Sequence, residues 1–233
     1  MRTKPSVLLI GNGRLAKHLH FWNSTLQEPL PLHHWHRGQS DDQLQAALKL
    51  ADLVWLCVSD AAIVPFFEKV LISSKSTIVH FSGAIHHPKM IGAHPLMTFP
   101  DALFTADTYR KIHYVLSGTE NLSEALPGFS NSFSVISGEL RPYYHALCVV
   151  AGNFPQFLWR DVAHGMQKMN IPDHALEVYL RQVTENFIKL KENSLTGPLV
   201  RRDEITIAKN ISALQEIPHL QKIYSVFAQE YCR

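Results

Sequence analysis

Val7 to Ile10 is an unbroken apolar run that passes through Gly11-Asn12-Gly13 into a stretch, Leu15 to about Trp22, with helical spacing of its apolar positions. A short, fully apolar run predicts a strand buried on both faces, as in a parallel sheet. The alternation then repeats. After the break at Pro29-Leu-Pro31 come a strand at Leu32–Trp35, a helix over Gln43–Leu50 with Asp41 and Asp42 as its caps, and a strand within Asp52–Val58. A helix over Ala61–Leu71 and a strand at Thr77–Phe81 follow. Gly92–Pro100 reads as a proline-rich loop, and Ile112–Leu116 and Phe133–Ile136, flanking a helix-turn segment at Leu122–Phe129, read as the last strands. From Tyr143 onward the texture is helical only: Tyr144 to about Met169, Asp173–Leu190, Glu204–Leu214 and His219–Tyr231, with Pro172 and Pro218 as breaks. The expected class is therefore α/β, a doubly wound parallel sheet over residues 1–140 followed by an all-helical part over 141–233.

The first turn carries the first chemistry. Gly11 to Ala16 spells GxGxxA directly after a buried strand. In that setting Gly11 permits the tight turn, Gly13 lets a pyrophosphate approach the backbone, and Ala16 lets the helix pack closely. Free N–H groups at the helix start favour the same anion. Gly11, Asn12, Gly13, Arg14, Leu15 and Ala16 are thus the expected pyrophosphate-binding residues. At the end of the second strand, where an acidic residue would hold the adenine ribose, stand His36 and Arg37. A guanidinium suits a 2′-phosphate, so Arg37 favours NADP(H) over NAD(H); the plainer alternative is a solvated loop arginine. Val58, Ser59 and Asp60, with Ser82 and Gly83, end the next strands, where ligands of open parallel sheets lie. Asp60 also suits the cap of the helix after it.

His94 is followed by Pro95, which restricts it to an extended backbone. A rigidly presented imidazole can serve as general acid or base, although a loop histidine is also commonly mere surface. His18, His20, His33, His34, His36, His86 and His87 show neither HExxH nor finger spacing, and read as solvated rather than metal-binding. In Leu195–Asp203, Arg201 and Arg202 suit a substrate carboxylate or a cofactor phosphate; alternatively Asp203 only caps the next helix.

Composition narrows the setting. The 233 residues are 46% hydrophobic and 18% charged with a net charge of +2, too weak a field to imply a nucleic-acid partner. Cys57, Cys148 and Cys232 form no CxxC, so no disulfide framework or zinc site is expected, and the reducing cytoplasm fits best. No signal pattern precedes Val7 and every apolar run is broken before it could span a bilayer, so no membrane association is expected. The first helix of the C-terminal part is apolar nearly all round (Leu147, Val149, Val150, Phe154, Phe157, Leu158), which calls for other helices or a partner subunit and predicts a homodimer.

Taken in order, GNGRLA, VSDAAI, HFSGAI, GAHPLMTF, YHALCVVAGNF and LTGPLVRRD resemble a Rossmann-like family with an all-helical C-terminal domain, assigned to NADP-dependent oxidoreductases. Its architecture is similar to pyrroline-5-carboxylate reductase, prephenate dehydrogenase and 6-phosphogluconate dehydrogenase. The resemblance implies hydride transfer to or from a small metabolite. By similarity to prephenate dehydrogenases, His94 takes the proton from a hydroxyl and Ser82 helps orient it. Asn153 resembles the asparagine of the 6-phosphogluconate type, but Val149 stands where its lysine would be, which puts that mechanism in doubt. His145, eight residues before Asn153, shares its helix face. His94, Ser82, Asn153 and His145 are thus the candidate catalytic residues, with Thr196 and Arg201 on the substrate side. Arg202 stands where the family pattern has glycine. The alternative is a dinucleotide-binding sensor or interaction protein without catalysis.

Overall fold

The computed structural model describes residues 4–232. The chain divides into two compact units, Met1–Gly152 and Asn153–Arg233. In the first, β1 (Val7–Ile10), α1 (Arg14–Ser24), β2 (Leu32–Trp35), α2 (Asp41–Leu48), β3 (Leu53–Leu56), α3 (Asp60–Phe66) and β4 (Thr77–His80) alternate as the apolar pattern demands. There follow β5 (Ile91–Pro95), α4 (Ala106–Lys111), β6 (Tyr114–Ser117), α5 (Leu122–Ala125) and β7 (Phe133–Val135). The seven strands form one sheet in the order β2-β1-β3-β4-β5-β6-β7. Every neighbouring pair is parallel except β5 with β6, so the sheet is doubly wound and mostly parallel.

Period-two geometry splits β1 between two cores: Val7 and Leu9 join the cluster with Leu19, Trp22 and Tyr109, while Leu8 and Ile10 join Leu44, Ile63 and Phe67. All four β1 side chains are fully buried, as their apolar run predicts. Because β2 and β3 lie on opposite sides of β1, the chain reverses its winding beside β1. A crevice opens there at the carboxyl ends of the strands.

Four local expectations are corrected. Gly92 to Pro95 is strand, not loop: β5 pairs with β4 only through Ile91 and Gly92, so Pro95 stands beyond the last β4 pair and its missing N–H breaks no bond on that side. The cap of α2 is Ser40, whose hydroxyl accepts from Gln43 N at 3.3 Å while its own N–H donates to the Gln43 side chain at 3.1 Å; Asp41 and Asp42 are the first helical residues. Ser59 holds the cap position of α3 and Asp60 is its first residue. The expected helix to Leu71 is interrupted: Pro65 removes a ladder N–H, and the chain continues as a π-helical turn over Phe67–Leu71.

The histidines divide. His20, His33, His34 and His86 are exposed, but His18 is buried, its ring nitrogens bonded to Tyr109 Oη at 2.7 Å and Pro100 O at 2.9 Å. It is a core residue rather than a solvated one.

Helix α6 (Arg141–Lys168) begins in the first unit and continues into the second, which also holds α7 (Asp173–Leu190), α8 (Pro198–Arg201), α9 (Glu204–Ala213) and α10 (Pro218–Tyr231). Asp203 caps α9, accepting from Thr206 N at 3.0 Å and Thr206 Oγ1 at 2.7 Å. Arg202, at the end of α8, has φ 54° and ψ 40°, the left-handed conformation that suits the glycine expected there. Among the described residues of the second unit only Leu176 and Ile207 are buried. Among the described residues no helix is long and apolar enough to cross a membrane.

Candidate active site

A cleft of about 280 Å³ lies at the carboxyl ends of β1, β3 and β4, lined by Gly13, Arg14, Leu15, Val58, Ser59, Asp60 and Ser82, among others. Seven of the expected residues therefore share one crevice, while Gly11, Asn12, Ala16 and Gly83 are not among those that line it. The two glycines of the turn have different reasons. Gly11 has φ 124°, and a Cβ there would overlap the carbonyl oxygen of Cys57 at the end of β3, so the sheet itself requires glycine. Gly13 has an ordinary φ of −77° and is the N-cap of α1, without a side-chain cap bond. A Cβ on Gly13 would meet no atom within 4 Å. Nothing in the fold itself excludes a side chain at Gly13, and Ser, Asp or Asn would cap the helix better. That combination fits a ligand that approaches the backbone and needs the space. Ala16, buried, packs α1 against the sheet, and Asn12 is exposed on the turn.

Arg37 lies exposed in the turn after β2 and makes no hydrogen bond or ion pair among the described residues, so its guanidinium is available. Arg14, by contrast, is held by Asp101 at 3.1 Å.

Beyond the end of β4 a second group of residues meets, all within the first unit. His94 on β5 bonds through Nδ1 to the hydroxyl of Tyr144 on α6 at 2.7 Å. The His94 and His145 rings stand edge to face with centroids 6.2 Å apart. Gly83 makes this approach possible: a Cβ there would lie 2.5 Å from His145 Cδ2 and 3.2 Å from His94 Nε2. Ser82 is buried, and its hydroxyl accepts from Ala84 N and Ile85 N, both at 3.2 Å, so the oxygen fixes its own turn. The contact that orients His94 in the structure is thus Tyr144. No sequence signal indicated Tyr144, since fifty positions separate the partners.

Arg141, the first residue of α6, is completely buried. Its guanidinium donates to Ser117 Oγ at 3.1 Å and to the Ser82 carbonyl, while its Nε–H has no partner. Gly92 makes room for it, because a Cβ there would lie 2.7 Å from Nη1. Among the described residues no carboxylate pairs with Arg141, and Asp60 acts on it only through space. An uncompensated buried cation raises the positive potential of its surroundings. Burial, the Arg141 charge and His145 hold the His94 pKa down, to about 4. Burial and the same charge push His80, on β4 and without a partner for either ring nitrogen, down to about 3. His94 is neutral at pH 7.

These depressed values make a pH prediction. Below pH 6.5 the unfolded chain protonates both rings, whereas the folded chain resists until about pH 4 for His94 and about pH 3 for His80. Stability is therefore fully present above pH 6.5 and falls on acidification, by about 1.4 kcal/mol per pH unit for each ring. Chemical denaturation between pH 7 and pH 5, above the ordinary carboxylate range, checks this. His80→Phe should roughly halve the slope, and a stability independent of pH in that window would contradict the assignment.

Asn153, Thr196 and Arg201 belong to the second unit and are exposed there, Asn153 on α6, Thr196 before α8 and Arg201 at its end. Arg201 acts through space on the Asp203 cap.

Residues 117–231 match the model of a domain of unknown function, DUF2520. No curated protein matches the chain in sequence. Among solved structures, a Bacteroides fragilis protein proposed to be an NADP oxidoreductase superposes with a TM-score of 0.76 at 18% identity, covering 99% of this chain and 98% of that one. The Thermotoga maritima protein TM1727 gives 0.70 at 20% identity, with 96% and 95% covered. A pyrroline carboxylate reductase of Plasmodium falciparum, solved with NADP bound, gives 0.61 at 7% identity with 99% of both chains covered. The chain thus has the fold of these proteins, a seven-stranded, mostly parallel sheet followed by a helical C-terminal region.

Proposed function

We propose that this chain is an NADP(H)-dependent oxidoreductase acting on a small carbonyl or imine compound or its reduced form. The observation that carries the reading is Gly13: a position facing the cleft, with an ordinary backbone and open space, that nonetheless lacks a side chain. The pyrophosphate would lie against Gly13, Arg14 and Leu15 at the start of α1, and the 2′-phosphate would meet Arg37. Val58, Ser59, Asp60, Ser82 and Gly83 would border the rest of the dinucleotide, whose nicotinamide supplies or accepts the hydride. His94 and His145 would bind and orient the substrate's polar atom in the positive potential of Arg141.

Arg37→Ala should weaken NADPH binding about ten- to a hundredfold, the worth of charge-assisted hydrogen bonds, while leaving NADH binding unchanged. An equal loss for both would remove Arg37 from the 2′-phosphate. The activity itself is tested by following NADPH oxidation against a panel of carbonyl and imine metabolites. Binding without turnover across the panel would favour the sensor.

The same reading includes a homodimer in the cytoplasm, a compartment that suits the three free cysteines. Tyr143, Leu147, Val150, Phe154 and Phe157 stand at alternating spacings of four and three along α6, each more than half exposed. This is the seam of a helix that packs against another helix. A second unit in which, among the described residues, only Leu176 and Ile207 are buried has a small core for its length, and a second copy of the chain would supply further cover. Light scattering at micromolar concentration should give the mass of a dimer, and Val150→Glu with Phe154→Glu should shift it to monomer. A monomeric unaltered chain would overturn the assembly.

A further inference from the structure

The Tyr144 hydroxyl has one proton and two neighbours able to influence it, His94 and Cys148. It lies 2.7 Å from His94 Nδ1, and Cys148, one helical turn further along α6, helps raise its pKa. Burial raises the phenol's pKa, and His94 stays uncharged down to about pH 4, so both groups are neutral at pH 7. Two arrangements are then possible. If Nδ1–H donated to the phenol, the phenolic proton would be left to thiol sulfur, a weak acceptor. If the phenol donates to Nδ1, it meets the strongest acceptor within reach.

A neutral imidazole whose Nδ1 accepts a hydrogen bond carries its proton on Nε2. That nitrogen has no hydrogen-bond partner among the described residues, and His94 is only partly buried. It lies against Gly83, next in sequence to Ser82, a lining residue of the cleft. We infer that Tyr144 is a positioning residue that holds His94 as its Nε2–H tautomer, making His94 a neutral hydrogen-bond donor rather than a base. This deepens the oxidoreductase reading and rests on it for its functional meaning. A donor fixed in this way selects substrates with a lone pair at the reacting group, a carbonyl oxygen or an imine nitrogen. It polarises them without requiring an imidazolium beside the Arg141 cation. The expectation that His94 takes a proton from a hydroxyl gives way to a donor role in the reductive direction.

The test needs no ligand. Long-range proton–nitrogen correlation spectra of the 15N-labelled full chain at pH 7, with the His94 signals assigned by their loss in His94→Gln, report which ring nitrogen bears the proton. The expected result is a protonated Nε2 and an unprotonated Nδ1, collapsing to a mixture of tautomers in Tyr144→Phe. Cys148→Ala should keep the Nε2–H form, since the phenol then has no competing acceptor. A proton on Nδ1 in the unaltered chain, or an unchanged tautomer in Tyr144→Phe, overturns the proposal. A purely structural Tyr144 would leave the ring's tautomer where it was. Failure of NADPH to bind would sink the oxidoreductase reading while leaving the tautomer result standing, so the two failures are distinguishable.

Discussion

Replacing Gly13 by Asp abolishes NADPH binding, weakening it more than about a hundredfold, while the protein melts at the same temperature or slightly above it. The stability half of this expectation follows from the backbone. Gly13 is the N-cap of α1 with φ −77° and ψ 179°, angles any residue adopts, and a Cβ there meets nothing within 4 Å. Aspartate is among the best N-caps and gains a few tenths of a kcal/mol over glycine. The binding half follows from charge. A carboxylate beside the first N–H groups of α1 occupies the place where the pyrophosphate would sit, and like charges so placed cost several kcal/mol, about tenfold in affinity for every 1.4 kcal/mol. Isothermal titration with NADPH and a thermal melt of the same sample check both halves. Retained affinity in Gly13→Asp would show that the turn is only a packing device.

Gly11→Ala has the opposite signature, a loss of stability whatever its effect on ligand. Its φ of 124° lies where side chains are strained, and the new methyl group would overlap the Cys57 carbonyl where the chain leaves β3. Gly11 N also donates to the Trp35 carbonyl at 2.9 Å, so displacing the turn disturbs β2 as well as β3. Backbone strain and overpacking together are expected to cost about 4 kcal/mol, a large part of a typical domain's stability. Chemical denaturation measures it. A loss below about 1 kcal/mol would mean that the β1–α1 turn can shift away from β3 without penalty. The GxGxxA setting assigns these two glycines different roles, and their backbone angles and surroundings give each its physical reason.

What was legible in the sequence was local. Apolar runs, helical periodicity and glycine placement marked β1, β2, β3 and the α7 boundaries, because each depends on neighbours within a few residues. β5 was misread because two prolines outweighed a pairing that exists only in three dimensions: its partners are β4 on one side for two residues and β6 on the other. His18 looked like one of many surface histidines until Tyr109 and Pro100, more than 80 positions away, closed over it. The site shows the same division. The strand-end residues Val58, Ser59, Asp60 and Ser82 could be placed from topology, since strand ends in an open sheet converge on one crevice. Arg141 and Tyr144 could not, because their roles arise only when the start of α6 meets the ends of β4 and β5 and the side chain of Ser117.

The central claim is that the crevice beside β1 holds a phosphorylated nicotinamide dinucleotide. Its most direct test is titration of the unaltered protein with NADPH, followed by the change in nicotinamide fluorescence, with NADH as the comparison ligand. The account predicts saturable binding of NADPH, tighter than that of NADH because only the former presents a 2′-phosphate to Arg37. Binding of neither nucleotide would contradict it.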